Sequence, residues 1–203
     1  MDEGSAADVS TVLLLPSEPR PVRLMNTVWA DRGGVHDALG TPADLGRWLA
    51  AADLLPADPV VTAAGLRAAI SLRDALRRLA ALRTADSRST ARSAMPDLEV
   101  AVWVVNEAAA AVRPDALDLV GDRLRRRPAA PAADPAAALA TVAVEAIALL
   151  TEPDGVLNAC TAPGCVLYFV KDHPRREWCS AACGNRARAA RHYQRHRAAR
   201  GDS

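Results

Sequence analysis

Aromatic residues are scarce in this sequence, which has four Trp, two Tyr and one Phe among 203 residues. Half of the residues are nevertheless hydrophobic, and Ala, Leu and Val dominate them. Because Ala and Leu favour helices whereas β-branched and aromatic residues favour strands, this composition argues against a large β-sandwich and for closely packed helices. The length suffices for one medium domain with its own core and a small appendage.

Long apolar runs are also lacking. No stretch of about 18 apolar residues is free of charge, and the nearest one, residues 136–150, is too short and contains Glu145. The first residues are acidic and do not resemble a secretory leader. The sequence therefore predicts a cytoplasmic protein without a membrane span, in a compartment where cysteines stay reduced.

Catalytic motifs are missing from the part of the chain that precedes the cysteines. It contains one histidine, His36, but no phosphate-binding glycine loop and no serine nucleophile motif. Asp31, His36 and Asp37 lie close together in sequence, but beside Gly33-Gly34 they are expected to form a polar loop. We therefore predict that the chain is not an enzyme.

The charge is unevenly distributed along the chain. The net charge is +1, but residues 171–203 hold nine Lys/Arg and three Asp/Glu, whereas residues 1–170 hold 16 basic and 21 acidic residues. Three of the four histidines, His173, His192 and His196, also lie in this basic tail. The tail, and not the net charge, therefore indicates the kind of partner.

Helix signals recur along the first 150 residues. Thr41-Pro42-Ala43-Asp44 combines an N-cap Thr, a Pro at the first helical position and an Asp in the first turn. Apolar residues then follow at helical spacing. Further helices are predicted over residues 62–83, 100–112 and 134–150, and a small hairpin with a Gly-Asp turn over residues 117–125.

These elements divide the chain into three predicted parts. Residues 1–20 are expected to be a flexible leader. Residues 21–152 are expected to form a helical domain that senses a signal or dimerises. Residues 156–200 are expected to form a small domain of a β-hairpin and a basic helix, so the predicted fold class is mainly α.

All four cysteines, Cys160, Cys165, Cys179 and Cys183, share one short segment in the spacing C-x4-C-x13-C-x3-C. Two close pairs joined by a longer loop supply the four thiolates that a tetrahedral zinc site needs. Buried thiols and disulfides are the alternatives, but a reducing compartment disfavours disulfides. We predict one structural Zn2+ with no open coordination position, which folds a segment too small to fold alone.

The surroundings of the cysteines suggest a local structure. Residues 166–170 are apolar and β-prone, and they are predicted to form a hairpin with residues 177–178 that bridges the two cysteine pairs. His173 is an alternative metal ligand but is expected at the tip of this hairpin. Ser180 is well placed to cap a helix that carries Cys183 in its first turn.

The segment after Cys183 is rich in Ala and Arg and is predicted to be helical. At 100° per residue, Arg188, Arg191, His192 and Arg195 share one stripe. The opposite side carries Arg186, Tyr193, Arg197 and Arg200. Arginine suits phosphates and guanine edges, so nucleic-acid contact is predicted, against the alternatives of a solvated or a protein-binding helix. Asn185 either bonds the backbone around the metal turn or reaches a base.

The motifs Cys160-Thr-Ala-Pro-Gly-Cys165 and Trp178-Cys179-Ser-Ala-Ala-Cys183-Gly-Asn-Arg186 resemble the CGNR zinc finger. The upstream Met25-Asn26-Thr27-Val28 and Thr41-Pro42-Ala43-Asp44-Leu45 are similar to the ABATE domain that usually precedes this finger. The resemblance implies a bacterial, stress-related transcription regulator. It implies zinc ligation by the four cysteines and contact of double-stranded DNA by the helix after Cys183.

Two kinds of function remain open at this point. The first is a DNA-binding regulator that acts as a homodimer on the nucleoid, with a small-molecule effector bound by the helical domain. Asn26, Trp29 and Trp48 are the candidate pocket residues, although the Trp residues suit a core and Asn26 a helix cap. The second is an RNA-binding or protein-interaction module, and the few aromatic residues weaken the case for single-stranded RNA.

Overall fold

A computed structural model of the chain describes residues 15–112, 114–128 and 132–199, with side chains described up to residue 196. The helices in these ranges are α1 (Arg20–Met25), α2 (Pro42–Ala51), α3 (Ala63–Arg83), α4 (Leu98–Ala110), α5 (Pro135–Thr151) and α6 (Ala181–Ala199). Three antiparallel strand pairs accompany them, β1 (Val28–Asp31) with β2 (Gly34–Asp37), β3 (Ala116–Val120) with β4 (Arg123–Arg127), and β5 (Leu157–Ala159) with β6 (Tyr168–Val170). The predicted mainly α fold with a small C-terminal β-hairpin and helix is confirmed.

Helices α2, α3 and α5 begin where the sequence signals place them. At the start of α2, the Thr41 hydroxyl accepts a hydrogen bond from the Asp44 amide (3.3 Å), and the Asp44 carboxylate accepts one from the Thr41 amide (2.7 Å). Thr62 caps α3 and Asp134 caps α5 in the same way, each through its side-chain oxygen. These bonds satisfy amides that have no partner inside the helix.

Helix α3 forms the centre of the N-terminal core. It packs against α1, α2, α4 and α5. Its contact face is partly made of alanines (Ala69, Ala75 and Ala80), all buried, which let neighbouring helices approach closely. Larger side chains such as Trp48 and Leu72, which are fully buried, fill the remaining space of the core. Within the described residues, no helix combines the length and the apolar character needed to cross a membrane.

The polar residues around Gly33-Gly34 form a hairpin, so the expected loop is wrong. Strands β1 and β2 pair Asp31 with Gly34 and Trp29 with His36. The His36 Nε2 lies 2.8 Å from an Asp31 carboxylate oxygen, and the Trp29 and His36 rings stack with centroids 4.3 Å apart. Cross-strand pairing decides this geometry, because residues that are distant along two strands face each other across the ladder.

The hairpin predicted over residues 117–125 is confirmed as β3 and β4. Gly121 lies in its turn with φ +65°, a conformation that favours glycine. All five residues of β4 are exposed. Of the expected leader, residues 1–14 lie outside the described residues.

Candidate zinc centre and basic helix

The first cysteine pair lies in the turn between β5 and β6. Cys160 follows β5 directly, and its amide donates to the Leu167 carbonyl (3.0 Å). The Cys165 amide donates to the Ala162 carbonyl (2.9 Å), and Gly164 adopts φ +72° to close the turn. The antiparallel ladder therefore brings both thiols to one end of the hairpin.

The predicted hairpin between the two cysteine pairs is wrong. β6 pairs with β5, which precedes Cys160, and not with residues 177–178. The short turn that contains the first pair brings β5 beside β6, whereas the chain after β6 leaves the ladder. His173 lies exposed in that later segment, where its Nδ1 accepts from the Arg175 amide (3.1 Å).

The second cysteine pair is held by the start of α6. Cys179 precedes the helix, and Cys183 lies in its first turn. The Ser180 hydroxyl accepts a hydrogen bond from the Cys183 amide (3.2 Å), as expected for a capping Ser. The positive end of a helix attracts negatively charged groups, so this position suits an anionic metal ligand.

All four thiols converge on one point. Cys160, Cys165, Cys179 and Cys183 are buried, and their Sγ atoms all lie within 4.8 Å of one another. A tetrahedron of thiolates around Zn2+, with bonds of about 2.3 Å, has sulfurs about 3.8 Å apart, which lies within this limit. The Cys165 and Cys179 Sγ atoms are 3.8 Å apart. The four side chains fit a single structural zinc site.

The electrostatics of the cluster explain why it suits a cation. Hydrogen bonds from Cys165 and Cys179 lower the pKa of Cys160, whereas the hydrogen bond with Cys160 raises the pKa of Cys165 and that of Cys179. Neighbouring thiols thus stabilise one thiolate at the expense of the others. A divalent cation at the centre removes this conflict, because it stabilises all four thiolates together.

Arg88 in the loop after α3 clamps the first cysteine pair from the N-terminal domain. Its Nη1 donates to the backbone carbonyls of Cys160 (2.6 Å) and Cys165 (2.8 Å). Asp86 holds the other side of the guanidinium with two hydrogen bonds (2.6 and 2.7 Å) and accepts a third from the Tyr168 hydroxyl (2.9 Å). Burial alone would raise the pKa of Asp86, but hydrogen bonds from Arg88 and Tyr168 lower it.

Asn26 connects α1 to β6 as an additional strand would. Its side-chain amide donates to the Tyr168 carbonyl and its side-chain oxygen accepts from the Tyr168 amide, both at 2.9 Å. Both polar ends of this buried side chain are therefore used within the chain. Of the other two candidate pocket residues, Trp48 is fully buried in the core and Trp29 stacks on His36.

Two further buried charged residues join the hairpin to the N-terminal domain. Arg77 of α3 donates to the carbonyls of Met25 (3.0 Å) and Val166 (3.3 Å). Glu18 accepts from the Val170 amide (2.8 Å) and from the Arg176 guanidinium (2.5 Å). Sequence analysis missed these residues and Arg88, because each of them bonds to a backbone group that is far away along the chain.

Helix α6 extends from the cysteine cluster with most of its surface exposed. Ala187 packs on the cluster, and Gly184 lies against Trp178. The described side chains of the predicted stripe, Arg188, Arg191, His192 and Arg195, are all exposed.

Some predicted contact residues also bond within the finger. Arg186 donates to the Cys183 Sγ (3.1 Å), and Arg188 donates to the Asn185 side-chain oxygen (2.5 Å). The Arg191 guanidinium lies 5.7 Å from the centroid of the Trp178 ring. The side chain of Arg197 and all of Arg200 lie outside the described residues.

Two family models match the chain. The first, for the ABATE domain, is described as "Putative stress-induced transcription regulator" and covers residues 18–153. The chain belongs to the ABATE family. The second match is the CGNR zinc finger over residues 157–196. A search of curated proteins finds no match.

The two matches confirm the resemblance seen in the sequence. They are a regulatory family and a zinc-finger family and not enzyme families. The CGNR match includes the β5–β6 hairpin, all four cysteines and α6 up to residue 196. This ABATE protein thus has a regulatory, zinc-binding role, with one structural zinc site at the four cysteines.

Proposed function

We propose that this chain is a DNA-binding transcription regulator that contacts double-stranded DNA through α6. One observation carries the proposal. The helix is rooted in the zinc site, so its direction is set by the fold, and it presents an exposed arginine stripe. We further propose a leader (1–20), a sensing or dimerising domain (21–152) and a DNA-binding finger (156–200), acting in the cytoplasm on the nucleoid.

Charge and exposure support this role for α6. The helix contains no Asp or Glu, so none of its own residues neutralises Arg188, Arg191 or Arg195. Successive turns place these side chains about 5 Å apart along the axis, which lets them contact neighbouring phosphates or base edges in a major groove. Arg186 is proposed to contribute mainly by holding the Cys183 thiolate, and the neighbouring His192 and Arg197 by contacting phosphate.

The test is fluorescence anisotropy with duplex DNA at several salt concentrations. The variant Arg188→Ala/Arg191→Ala/Arg195→Ala should bind on the order of a hundredfold more weakly. The slope of its log affinity against log salt concentration should become shallower by about one unit for each lost phosphate contact. Its zinc content should not change. The matched control is Arg123→Ala/Arg125→Ala, which removes two exposed arginines of β4 and should bind as the wild type does.

Other results would identify the alternative function. Binding of single-stranded or structured RNA in preference to every duplex DNA would mean an RNA-binding module. No binding to any nucleic acid at low salt would mean that α6 meets an acidic protein. Either result would overturn the proposal, and genome-wide DNA capture with the full chain would identify the operator if the proposal holds.

The contacts between the domains support a sensor role for the N-terminal domain. Arg88 touches the zinc ligands, and beside it lies a cleft of about 360 Å3 that also includes Arg78 and Arg92. We propose that an anionic small-molecule effector binds there, because its cationic lining outweighs the single carboxylate of Asp86. Thermal shift assays with small carboxylates and phosphates test this on the wild type and on Arg92→Ala. An anion that binds in the cleft should raise the melting temperature of the wild type more than that of the variant, and an equal rise in both chains contradicts the proposal.

A further inference from the structure

Two histidines face each other on the exposed surface of α6. His192 and His196 are four residues apart, a spacing that places two side chains on the same face of a helix, one turn apart. Their Nε2 atoms lie 3.1 Å apart, and their ring centroids lie 4.3 Å apart. Both side chains are exposed. The two nitrogens therefore meet at a position that is open to solvent.

The separation of the two nitrogens suits a shared metal ion. Bonds from zinc to imidazole nitrogen are about 2.0 to 2.1 Å long, so two nitrogens on one ion are about 2.9 Å apart at a right angle and about 3.3 Å apart at a tetrahedral angle. The observed 3.1 Å lies between these values. Two histidines four residues apart also form the ligand pair of the H-E-x-x-H motif in zinc proteases. We infer that His192 and His196 bind a divalent transition metal at a site separate from the four cysteines.

The imidazole nitrogens decide the class of metal. Neutral imidazole suits Zn2+, Cu2+ and Ni2+, whereas Mg2+ and Ca2+ prefer oxygen ligands. Without a metal, two neutral rings at this distance need one Nε2–H that donates to the other nitrogen. When the metal binds, that proton moves to Nδ1 of the same ring by exchange with water, so both Nε2 lone pairs become available. Water completes the coordination of the ion beside these two ligands.

The neighbouring charges make this site weaker than the cysteine site. Arg195 lies between the two histidines in sequence, and its positive charge opposes that of a metal ion. Two other arginines of the stripe are held towards the cysteines. Arg188 donates to the Asn185 side-chain oxygen (2.5 Å), and the Arg191 guanidinium lies 5.7 Å from the centroid of the Trp178 ring. We therefore expect a labile ion that exchanges with the solution, in contrast to the structural zinc.

The inference goes beyond the proposed function and does not need DNA for its evidence. His192 is among the residues proposed to contact phosphate, so a metal ion there would lie on the surface proposed to meet DNA. Metal binding is measured without DNA. A chain that binds the metal but no DNA would refute only the DNA proposal, and the reverse result would refute only this inference.

Equilibrium dialysis of the zinc-loaded full chain against Ni2+, with Mg2+ in excess, tests the inference. At about 100 μM free Ni2+, the wild type should hold close to one nickel per chain in addition to its zinc, both measured by elemental analysis. His192→Gln and His196→Gln should each bind Ni2+ at least about tenfold more weakly. Loss of a residue that only supports a metal ligand already lowers metal affinity by about 10 to 100-fold, and these variants lose a ligand itself.

Two controls distinguish a chelating pair from histidines in general. His173→Gln removes an exposed histidine from the segment between the cysteine pairs and should bind nickel as the wild type does. The double variant His196→Gln/Gln194→His keeps two histidines on α6 but places them two residues apart. That spacing is about 200° around the helix, so one ion cannot reach both rings. The double variant should therefore bind nickel as weakly as His196→Gln.

Three results overturn the inference. The first is a wild-type chain that binds no nickel at this concentration. The second is nickel that replaces zinc one for one, which would place the ion at the cysteines. The third is a variant of His192 or His196, single or double, that binds nickel as tightly as the wild type.

A measurement on the wild type alone decides the question if a variant loses its helical signal in circular dichroism. Paramagnetic Ni2+ should broaden the ring proton signals of two of the four histidines and spare His36 and His173. Any other pattern of broadening would contradict the inference.

Discussion

At the scale of single residues, buried and partly buried charged side chains connect the zinc centre to the rest of the molecule. Arg88 is the clearest example, since its guanidinium joins the carbonyls of Cys160 and Cys165 to the carboxylate of Asp86. Hydrogen bonds that involve a charged group contribute about 1.5 to 3 kcal/mol each. Arg88 therefore stabilises the turn that carries two of the four thiols.

Replacing Arg88 by Ala should loosen the zinc site without removing a ligand. We expect zinc transfer to a chromogenic chelator to be at least about tenfold faster, because the loss of about 1.4 kcal/mol already corresponds to that factor. Arg92→Ala is the control, since Arg92 lines the same cleft, whereas the hydrogen bonds to the Cys160 and Cys165 carbonyls come from Arg88. Equal transfer rates for wild type and Arg88→Ala would show that the clamp does not support the site.

Tyr168 makes the stability of the fold sensitive to alkaline pH. Burial raises the pKa of its hydroxyl from 10.0 to about 12. Above pH 10 the hydroxyl of Tyr168 loses its proton in the unfolded chain but keeps it in the folded one. Ionisation of Tyr168 therefore lowers the free energy of unfolding, which is unaffected below pH 10 and falls as the pH rises towards 12. Between pH 8 and 11 the wild type should lose about 1 kcal/mol more than Tyr168→Phe.

Urea unfolding of both chains at the two pH values measures this difference. At pH 8 the Phe variant should be the less stable chain, because it lacks the hydrogen bond to Asp86. The gap should narrow at pH 11. A gap that stays constant would mean that Tyr168 ionises normally in the folded protein.

At the scale of elements, the junction between Trp178 and α6 sets the position of the basic helix. Gly184 lies in the first turns of α6, where a Cβ atom would be 2.9 Å from Cδ1 of Trp178. The indole in turn packs beneath the Arg191 guanidinium. The glycine thus allows the helix to approach the ring closely, at the cost of about 1 kcal/mol of helix propensity.

Gly184→Ala should therefore destabilise the finger although Ala is the better helix former. We expect a net loss of about 1 to 3 kcal/mol, because the ring must move away from the new methyl group. Chemical unfolding and a changed tryptophan emission spectrum would report it. The comparison is Ala189→Gly, at an exposed position of the same helix, which should lower stability only by the difference in helix propensity between Gly and Ala. If Gly184→Ala is more stable than the wild type, the close approach of Gly184 to Trp178 does not limit the helix.

At the scale of the whole molecule, the zinc finger and the ABATE domain share a core. Leu157 and Tyr168 of the β5–β6 hairpin belong to the same buried cluster as α3 and α5. The cysteines form a second, smaller cluster with Phe169 and Ala187. The finger is thus built on the N-terminal domain and is not joined to it by a linker alone.

Removal of zinc should consequently affect the entire chain. With a chelator present, we expect the N-terminal helices, α3 and α5 among them, to melt at a lower temperature as well, and not the zinc finger alone. Thermal unfolding followed by circular dichroism, with and without chelator, measures this, and re-addition of zinc should restore the original transition. An unchanged main transition after zinc removal would mean that the two parts unfold independently.

Local signals in the sequence determined much of this protein. Capping residues, prolines and apolar spacing placed α2, α3 and α5, because such signals act over a few neighbouring residues. The spacing of the cysteines and the alanine-rich arginine segment indicated the zinc site and its helix for the same reason. Of the three strand pairings, only the β3–β4 hairpin was predicted correctly, from its Gly-Asp turn. The polar hairpin around Gly33-Gly34 and the partner of β6 were predicted wrongly.

Only the tertiary structure decided how the zinc centre is connected to the helices. Asn26, Arg77 and Arg88 bond mainly to backbone carbonyls and amides, which are chemically alike at every position and leave no pattern in the sequence. Which apolar side chains are exposed to solvent was likewise decided only by the tertiary structure. Val105 and Trp103 are both apolar residues of α4, but packing buries the first and leaves the second on the surface.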